Sequence, residues 1–327
     1  SANCDMLQSD VLGRPGGGNP FVDSVKGSLI FLVVLGHVVF QSETVYTSRW
    51  ISAIISWIWF FHMPAFVFIS GYLTNTKKVM SKQLVSCGHI LFTYILMQTV
   101  LTVVYGPHDL FNYLLIPQYA MWYLPALVVW RLLGVKIITL IKNDYFLLLL
   151  SILISIGSGF VPIKVLGFQR ICAFFPFFIS GMILRKHGIK LERFSKYRYL
   201  SIAFLLLMFV SFMVFNRTIC SGMCNIPYKN IFQLFTRFSV LIIGSIMSFA
   251  WISVTPTIKW LSYIGRKSLF VYCYHVFFIV GILPNIWIKT GINTNEILII
   301  LYATVSFVLL VILSKSALLN KILSPFK

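Results

Sequence analysis

"VDSVKGSLIFLVVLGHVVF", Val22 to Phe40, decides the fold class. The run is nearly all apolar and matches the roughly 20 residues that one helical crossing of a bilayer needs. Yet Asp23, Lys26 and His37 sit in or beside it. Ionisable residues at membrane depth are costly and rare without a function. An α-helix turns about 100° per residue, so Lys26 and His37, three turns apart, fall about 20° apart in azimuth. Asp23 lies about 40° from His37 on the other side. The three therefore share one helix face, with His37 roughly 16 Å deeper than Lys26. An imidazole there suits general base catalysis, because its unperturbed pKa is near neutrality. It also suits a proton relay, or a simple hydrogen bond between helices.

The rest of the chain extends this reading. It has 327 residues, 58% of them hydrophobic and 11% charged, where soluble domains carry about 25% charged residues. About ten apolar runs are long enough to span: Val25–Phe40, Ile51–Leu73, Leu84–Tyr105, Met121–Ile141 and Tyr145–Val161, then Phe168–Leu184, Tyr199–Phe215, Ile231–Ser253, Ser268–Ile288 and Glu296–Ser314. Arg131 and Gly134 interrupt the fourth. The expected fold is an all-α integral membrane protein of about ten transmembrane helices. Residues 1–20, polar and Gly-rich, read as a flexible leader. They lack a basic region followed by an apolar core, and so are not read as a signal peptide.

The formal net charge is +19. No nucleic-acid-binding motif accompanies it. Instead, the basic residues concentrate in alternate loops: "TNTKKVMSK", "GVKIITLIKND", "RKHGIKLERFSKYR", "TPTIKWLSYIGRK" and the tail with Lys315, Lys321 and Lys327. The intervening loops are poor in Lys and Arg. The positive-inside rule puts the basic set in the cytoplasm, and with an even number of spans both termini follow. One internal echo exists: "MPAFVFISGYLTNTKK" at 63–78 and "FPFFISGMILRKHG" at 175–188 both run from aromatics through Ile-Ser-Gly to a basic loop. Small residues there let helices approach closely.

The motifs also carry a resemblance. "VDSVKGSLIFLVVLGHVVF" resembles the opening motif of the acyltransferase 3 family of membrane O-acyltransferases. "WFFHMPAFVFISGYL" (Trp59–Leu73) is similar to the second motif of its fucose 4-O-acetylase-like branch. "MWYLPALVVWRLL" at 121–133, "QRICAFFPFFISGMIL" at 169–184 and "YIGRKSLFVYCYHVFFI" at 263–279 follow in family order. The resemblance implies one acyltransferase 3-like transmembrane domain over residues 21–327. It implies an acyl-CoA donor, acetyl-CoA above all, on the cytoplasmic side, no metal, and a sugar hydroxyl of a cell-surface glycan or its lipid-linked precursor as acceptor. It further implies a multi-pass protein of the bacterial inner membrane, with His37 as the catalytic histidine, which either deprotonates the acceptor hydroxyl or carries the acyl group briefly itself. Two departures stand out. Many members carry Arg where this chain has Lys26, and many have a carboxylate in the third motif where this chain has Leu127.

Several other residues are candidates. Lys26, positioned by Asp23 at i, i+3 spacing, is expected to hold the CoA phosphates, with cytoplasmic Arg266 and Lys267 as further donor ligands. His62 lies mid-span two residues before Pro64, where a proline frees a backbone carbonyl that the imidazole could take. Arg170 at the outer end of the sixth span and Arg237 inside the eighth are apt ligands for an anionic acceptor, because guanidinium donors form a fork. Snorkelling would also explain Arg170, and backbone carbonyls would also occupy Arg237. His275 is either structural or a wall of the donor site. Trp122 is either an interfacial aromatic or a sugar-stacking platform. The six cysteines have no zinc spacing, and Cys220 and Cys224 share one external loop where a disulfide is permitted. His89, His108 and His187 lie at or near loops and carry no metal assignment. A glycan transporter or flippase explains the spans equally well; proton-coupled transporters usually need an acidic or histidine chain across the full depth, whereas this chain offers one face from a cytoplasmic cation to a mid-membrane histidine without intramembrane carboxylates.

Overall fold

The computed structural model describes residues 18–76, 80–106, 112–163, 165–215, 224–282, 290 and 295–323. Every regular element among them is helical. In chain order the helices are α1 (Pro20–Phe40), α2 (Arg49–Leu73), α3 (Met80–Tyr105), α4 (Tyr123–Leu140) and α5 (Asp144–Gly157). Next come α6 (Phe168–Lys186), α7 (Arg198–Phe215), α8 (Ile231–Val254), α9 (Lys259–Arg266), α10 (Ser268–Val276), α11 (Glu296–Leu313) and α12 (Ala317–Leu323). Eight are long and apolar enough to cross a membrane, and α5 and α10 are shorter apolar helices. Each expected span overlaps one of these ten helices, and the end of the ninth, 283–288, lies outside the described residues. The protein is thus an all-α integral membrane protein. The expected leader falls almost wholly on residues 1–17, outside the described residues, as does Cys220 of the expected disulfide.

Two boundaries differ from the sequence reading for local reasons. α1 begins at Pro20, not Val25. Asn19 caps it by accepting from the backbone N–H groups of Phe21 and Val22, and Pro20 fits the first turn because its missing N–H has no partner there anyway. Asp23 and Lys26 are therefore inside the helix. α4 runs unbroken through Arg131 and Gly134. Arg131 is buried and donates from Nη1 to Ser86 Oγ at 3.2 Å. Gly134 makes room for Phe178, since a methyl there would lie 3.0 Å from that ring.

The chain forms two compact units. One takes the described residues of 66–190 and 224–242, the other those of 18–65, 191–215 and 243–323. In the first, the repeated Ile-Ser-Gly is a packing device. A methyl at Gly71 would overlap the Phe178 carbonyl, and one at Gly181 the Phe68 carbonyl. The end of α2 and α6 thus meet backbone to backbone, as small residues allow between membrane helices. In the second unit the same trick joins α1 to α9. A methyl at Gly27 would overlap the Leu261 carbonyl, and one at Gly265 the Asp23 carbonyl. Ser24 strengthens the contact by donating to the Ile258 carbonyl at 3.3 Å.

Candidate active site

Within the second unit, α1, α2 and α10 bring His37, Trp59, His62 and His275 together. The ring centroids of His37 and His275 are 5.2 Å apart and edge-on. Those of His37 and Trp59 are 6.1 Å apart, and those of Trp59 and His62 6.5 Å apart. Sequence spacing explains part of this, since Trp59 and His62 share a face at i, i+3. Only packing brings His275, from the far end of the chain, onto His37.

Each imidazole is oriented by its own helix. His37 Nδ1 lies 2.8 Å from the Val33 carbonyl, His62 Nδ1 2.9 Å from the Ile58 carbonyl, and His275 Nδ1 2.5 Å from the Tyr272 carbonyl. A carbonyl only accepts, so each Nδ1 carries the hydrogen and Nε2 is the basic nitrogen of the neutral ring. The Val33 carbonyl, four residues before His37, holds that ring in the tautomer that a base needs. His62 differs from expectation in its partner. Pro64 frees the carbonyl four residues back, at Phe60, whereas His62 bonds that of Ile58. His275 and His62 are buried and His37 is half-buried. Among the described residues, the buried polar atoms His275 Nε2 and Trp59 Nε1 have no hydrogen-bond partner.

At the other end of the stripe, Lys26 Nζ lies 2.8 Å from Asp23 Oδ1, and both side chains are buried, 3% and 4% exposed. Lys26, expected to hold the CoA phosphates, is thus buried in an ion pair, and the close approach of Gly265 lays α9 over the pair. Arg266 reaches toward Asp23 Oδ2 at 4.0 Å and is also held by Ser262 Oγ at 2.9 Å. With one carboxylate facing two cations, the cluster keeps a positive charge on its half-buried member, Arg266. Lys267, also half-buried, follows at the junction of α9 and α10.

The remaining candidates lie in the first unit. Arg237 is buried, donating from Nη1 to the Ser155 carbonyl at 2.8 Å and to Ser158 Oγ at 2.9 Å, and from Nη2 to Gln169 Oε1 at 3.3 Å. Tyr228 lies under the guanidinium, 4.9 Å from its ring centroid. The carbonyl-binding alternative for Arg237 is thus the one the geometry carries. Arg170 lies over the Trp122 ring at 5.1 Å, and Trp122 stacks on Phe174 at 5.6 Å. Trp122 is buried, so its faces serve Arg170 and Phe174. Among the described residues, no group of three or more His, Cys, Asp or Glu has the arrangement to hold a metal.

Sequence reasoning missed Trp59 and Gly36. Trp59 stood in a quoted motif and read as one more membrane aromatic. Its spacing from His62 was the available signal. The Gly36 contact, where a methyl would lie 3.0 Å from Trp59 Nε1, had no signal in sequence.

Comparison with known proteins makes the class of this helical membrane protein definite. Residues 19–315 match the acyltransferase domain of the acyltransferase 3 family, and the chain belongs to that family. A 56-residue stretch is 46% identical to nodulation protein NolL of Sinorhizobium fredii (strain NBRC 101917 / NGR234), covering 16% of this chain and 15% of that protein. No solved structure matches. The protein is therefore a multi-pass membrane protein of the acyltransferase 3 family.

Proposed function

We propose that the protein is an O-acetyltransferase that takes its acyl group from cytoplasmic acetyl-CoA. The acceptor is a sugar hydroxyl of a cell-surface glycan or its lipid-linked precursor, and the membrane is the bacterial inner membrane. The single observation that carries the reading is the Nδ1–H bond of His37 to Val33, which fixes Nε2 as the basic atom. A sugar hydroxyl is almost fully protonated at neutral pH, so its attack on a thioester calls for a base. His37 Nε2 takes the hydroxyl proton as the new C–O bond forms, then returns it to the departing sulfur. His275, 5.2 Å away by ring centroid, packs against the same imidazole.

The donor's phosphates belong with Arg266 and Lys267, because these are the half-exposed cations at the end of the stripe. Lys26 acts through Asp23, which it holds in place for Arg266. Arg170, Arg237 and Trp122 have protein partners that account for them, and we assign them structural roles. Both termini are taken as cytoplasmic on the loop charges.

The test uses purified protein, radiolabelled acetyl-CoA and, as acceptor, glycan extracted from cells lacking the gene. General acid–base help is typically worth about 10²–10⁴-fold. His37→Gln, similar in size and unable to take a proton, should lose at least about 10²-fold in transfer while eluting as a folded species and retaining acetyl-CoA binding. Transfer at near wild-type rate by well-folded His37→Gln would leave His37 a packing residue. Mass spectrometry of surface glycans should show the mass of one acetyl group lost with the gene. A glycan delivered unmodified to the surface only when the gene is present would favour transport instead.

A further inference from the structure

We infer that Trp59 is a catalytic residue of this site: its indole N–H receives the acyl carbonyl oxygen as negative charge develops there. The inference rests on the acyltransferase reading. Four other tryptophans give the comparison. Trp57 donates to the Leu205 carbonyl at 3.0 Å, Trp130 to the Ile171 carbonyl at 2.8 Å, Trp251 to Ser28 Oγ at 3.0 Å, and Trp50 to the Glu296 carboxylate. In an apolar setting this is the rule, because a buried N–H without an acceptor costs free energy comparable to a lost hydrogen bond. Trp59 breaks the rule. Its Nε1 is buried and has no acceptor.

The exception sits beside the imidazole that the reading makes the base. His275 Nε2, an acceptor once its Nδ1–H is committed to Tyr272, also lacks a partner. Two complementary orphans thus flank His37, at ring-centroid distances of 6.1 Å and 5.2 Å, and do not satisfy each other. The backbone of α1 also packs closely against the indole nitrogen. Residue 36 is glycine, and even a methyl there would stand 3.0 Å from Nε1 and 3.5 Å from Cδ1. Phe40 holds the indole from the neighbouring turn of α1, its ring centroid 4.6 Å away. A fixed N–H dipole next to a base, its nitrogen shielded from solvent, has the character of an oxyanion donor. Such donors act strongly because they need no reorganisation during the reaction.

The step balances as follows. The acceptor hydroxyl oxygen bonds to the acyl carbon and its proton passes to His37 Nε2. The carbonyl π electrons move onto oxygen, where the Trp59 N–H meets them. The carbonyl then re-forms, the C–S bond breaks, and the thiolate takes the proton from His37. An ester and free CoA thiol result, with no other reactant.

The test compares wild type, Trp59→Phe and His37→Gln in acyl transfer from acetyl-CoA. Removing one oxyanion donor costs about 10²–10³-fold in kcat. Trp59→Phe keeps a ring for Phe40 and should lose that much in kcat with KM for acetyl-CoA changed far less. The ketone analogue of acetyl-CoA, with CH₂ in place of sulfur and an isotope-labelled carbonyl, supplies a second readout. Its carbonyl stretch should shift to lower frequency on binding wild type, and most of that shift should vanish in Trp59→Phe. Should Trp59→Phe fail to fold, Gly36→Ala decides. Alanine suits a helix and leaves the indole in place, and the methyl pressed on Nε1 should lower kcat and reduce the infrared shift. Full kcat and an unaltered shift in whichever variant folds would overturn the role of Trp59. If His37→Gln is inactive in the same series, that result leaves the acyltransferase reading standing. If wild type transfers no acyl group from acetyl-CoA, the underlying reading fails.

Discussion

Replacing Lys26 by Met gives the sharpest test of the site's foundation. Lys26 Nζ and Asp23 Oδ1 are 2.8 Å apart with both side chains buried. At an effective dielectric near 20, two unit charges at that distance attract by about 6 kcal/mol, before the cost of taking them from water. Removing one partner of such a pair strands the other charge and typically costs about 3–5 kcal/mol. Arg266, 4.0 Å from the other carboxylate oxygen, offsets part of that loss, so the lower end of the range is expected for Lys26→Met. The double variant Asp23→Asn/Lys26→Met removes both charges, keeps similar volumes, and is expected within about 1–2 kcal/mol of wild type. The assay is unfolding in mixed detergent micelles, reading helix loss against denaturing detergent for wild type, both single variants and the double. The reasoning predicts that the double variant is more stable than Lys26→Met alone. If Lys26→Met is as stable as wild type, or the double is weaker than either single, the two charges are not a buried pair and the closure of α9 over them is wrong.

Three further outcomes are expected. Arg266→Ala with Lys267→Ala should raise the dissociation constant for acetyl-CoA by at least tenfold in titration calorimetry, an effect that shrinks at high salt because exposed charges are screened; unchanged affinity would move the donor site elsewhere. At the aqueous ends of α5 and α6, burial pushes the Asp144 carboxyl up, but hydrogen bonds from Lys186 and His187 outweigh it and hold the group below its ordinary value. A depressed carboxylate stabilises above its unfolded pKa and loses that contribution as pH falls through the folded one. Asp144→Asn should therefore melt slightly below wild type at neutral pH, by no more than about 1 kcal/mol for so exposed a cluster, with the gap closing below about pH 4; a gap constant with pH would refute the ion pairs. For topology, a cysteine placed at Thr47 should be labelled from outside intact cells, and one at Asn75 should not.

Helices and their order were legible because burial in lipid imposes a length and an apolar composition that any reader of the chain can count. The shared face of Asp23, Lys26 and His37 followed from the fixed turn of the helix. The family's motifs likewise survived as short strings in order. What sequence could not carry was anything requiring two distant segments to touch. The echo at Gly71 and Gly181 was visible, yet only packing revealed it as a backbone-to-backbone contact. Asp23 and Lys26 read as donor ligands because nothing local announces that Gly265, more than two hundred residues on, lies against their helix. Leu127 in place of a carboxylate left the orientation of His37 open, and the answer was a main-chain carbonyl, which has no letter in the sequence. Trp59 was one aromatic among many until its N–H, alone beside an imidazole, could be compared with the indoles that found partners. Pattern along one helix is set by local geometry, whereas which polar atoms are left unpaired is decided only when the whole fold has offered each of them its neighbours.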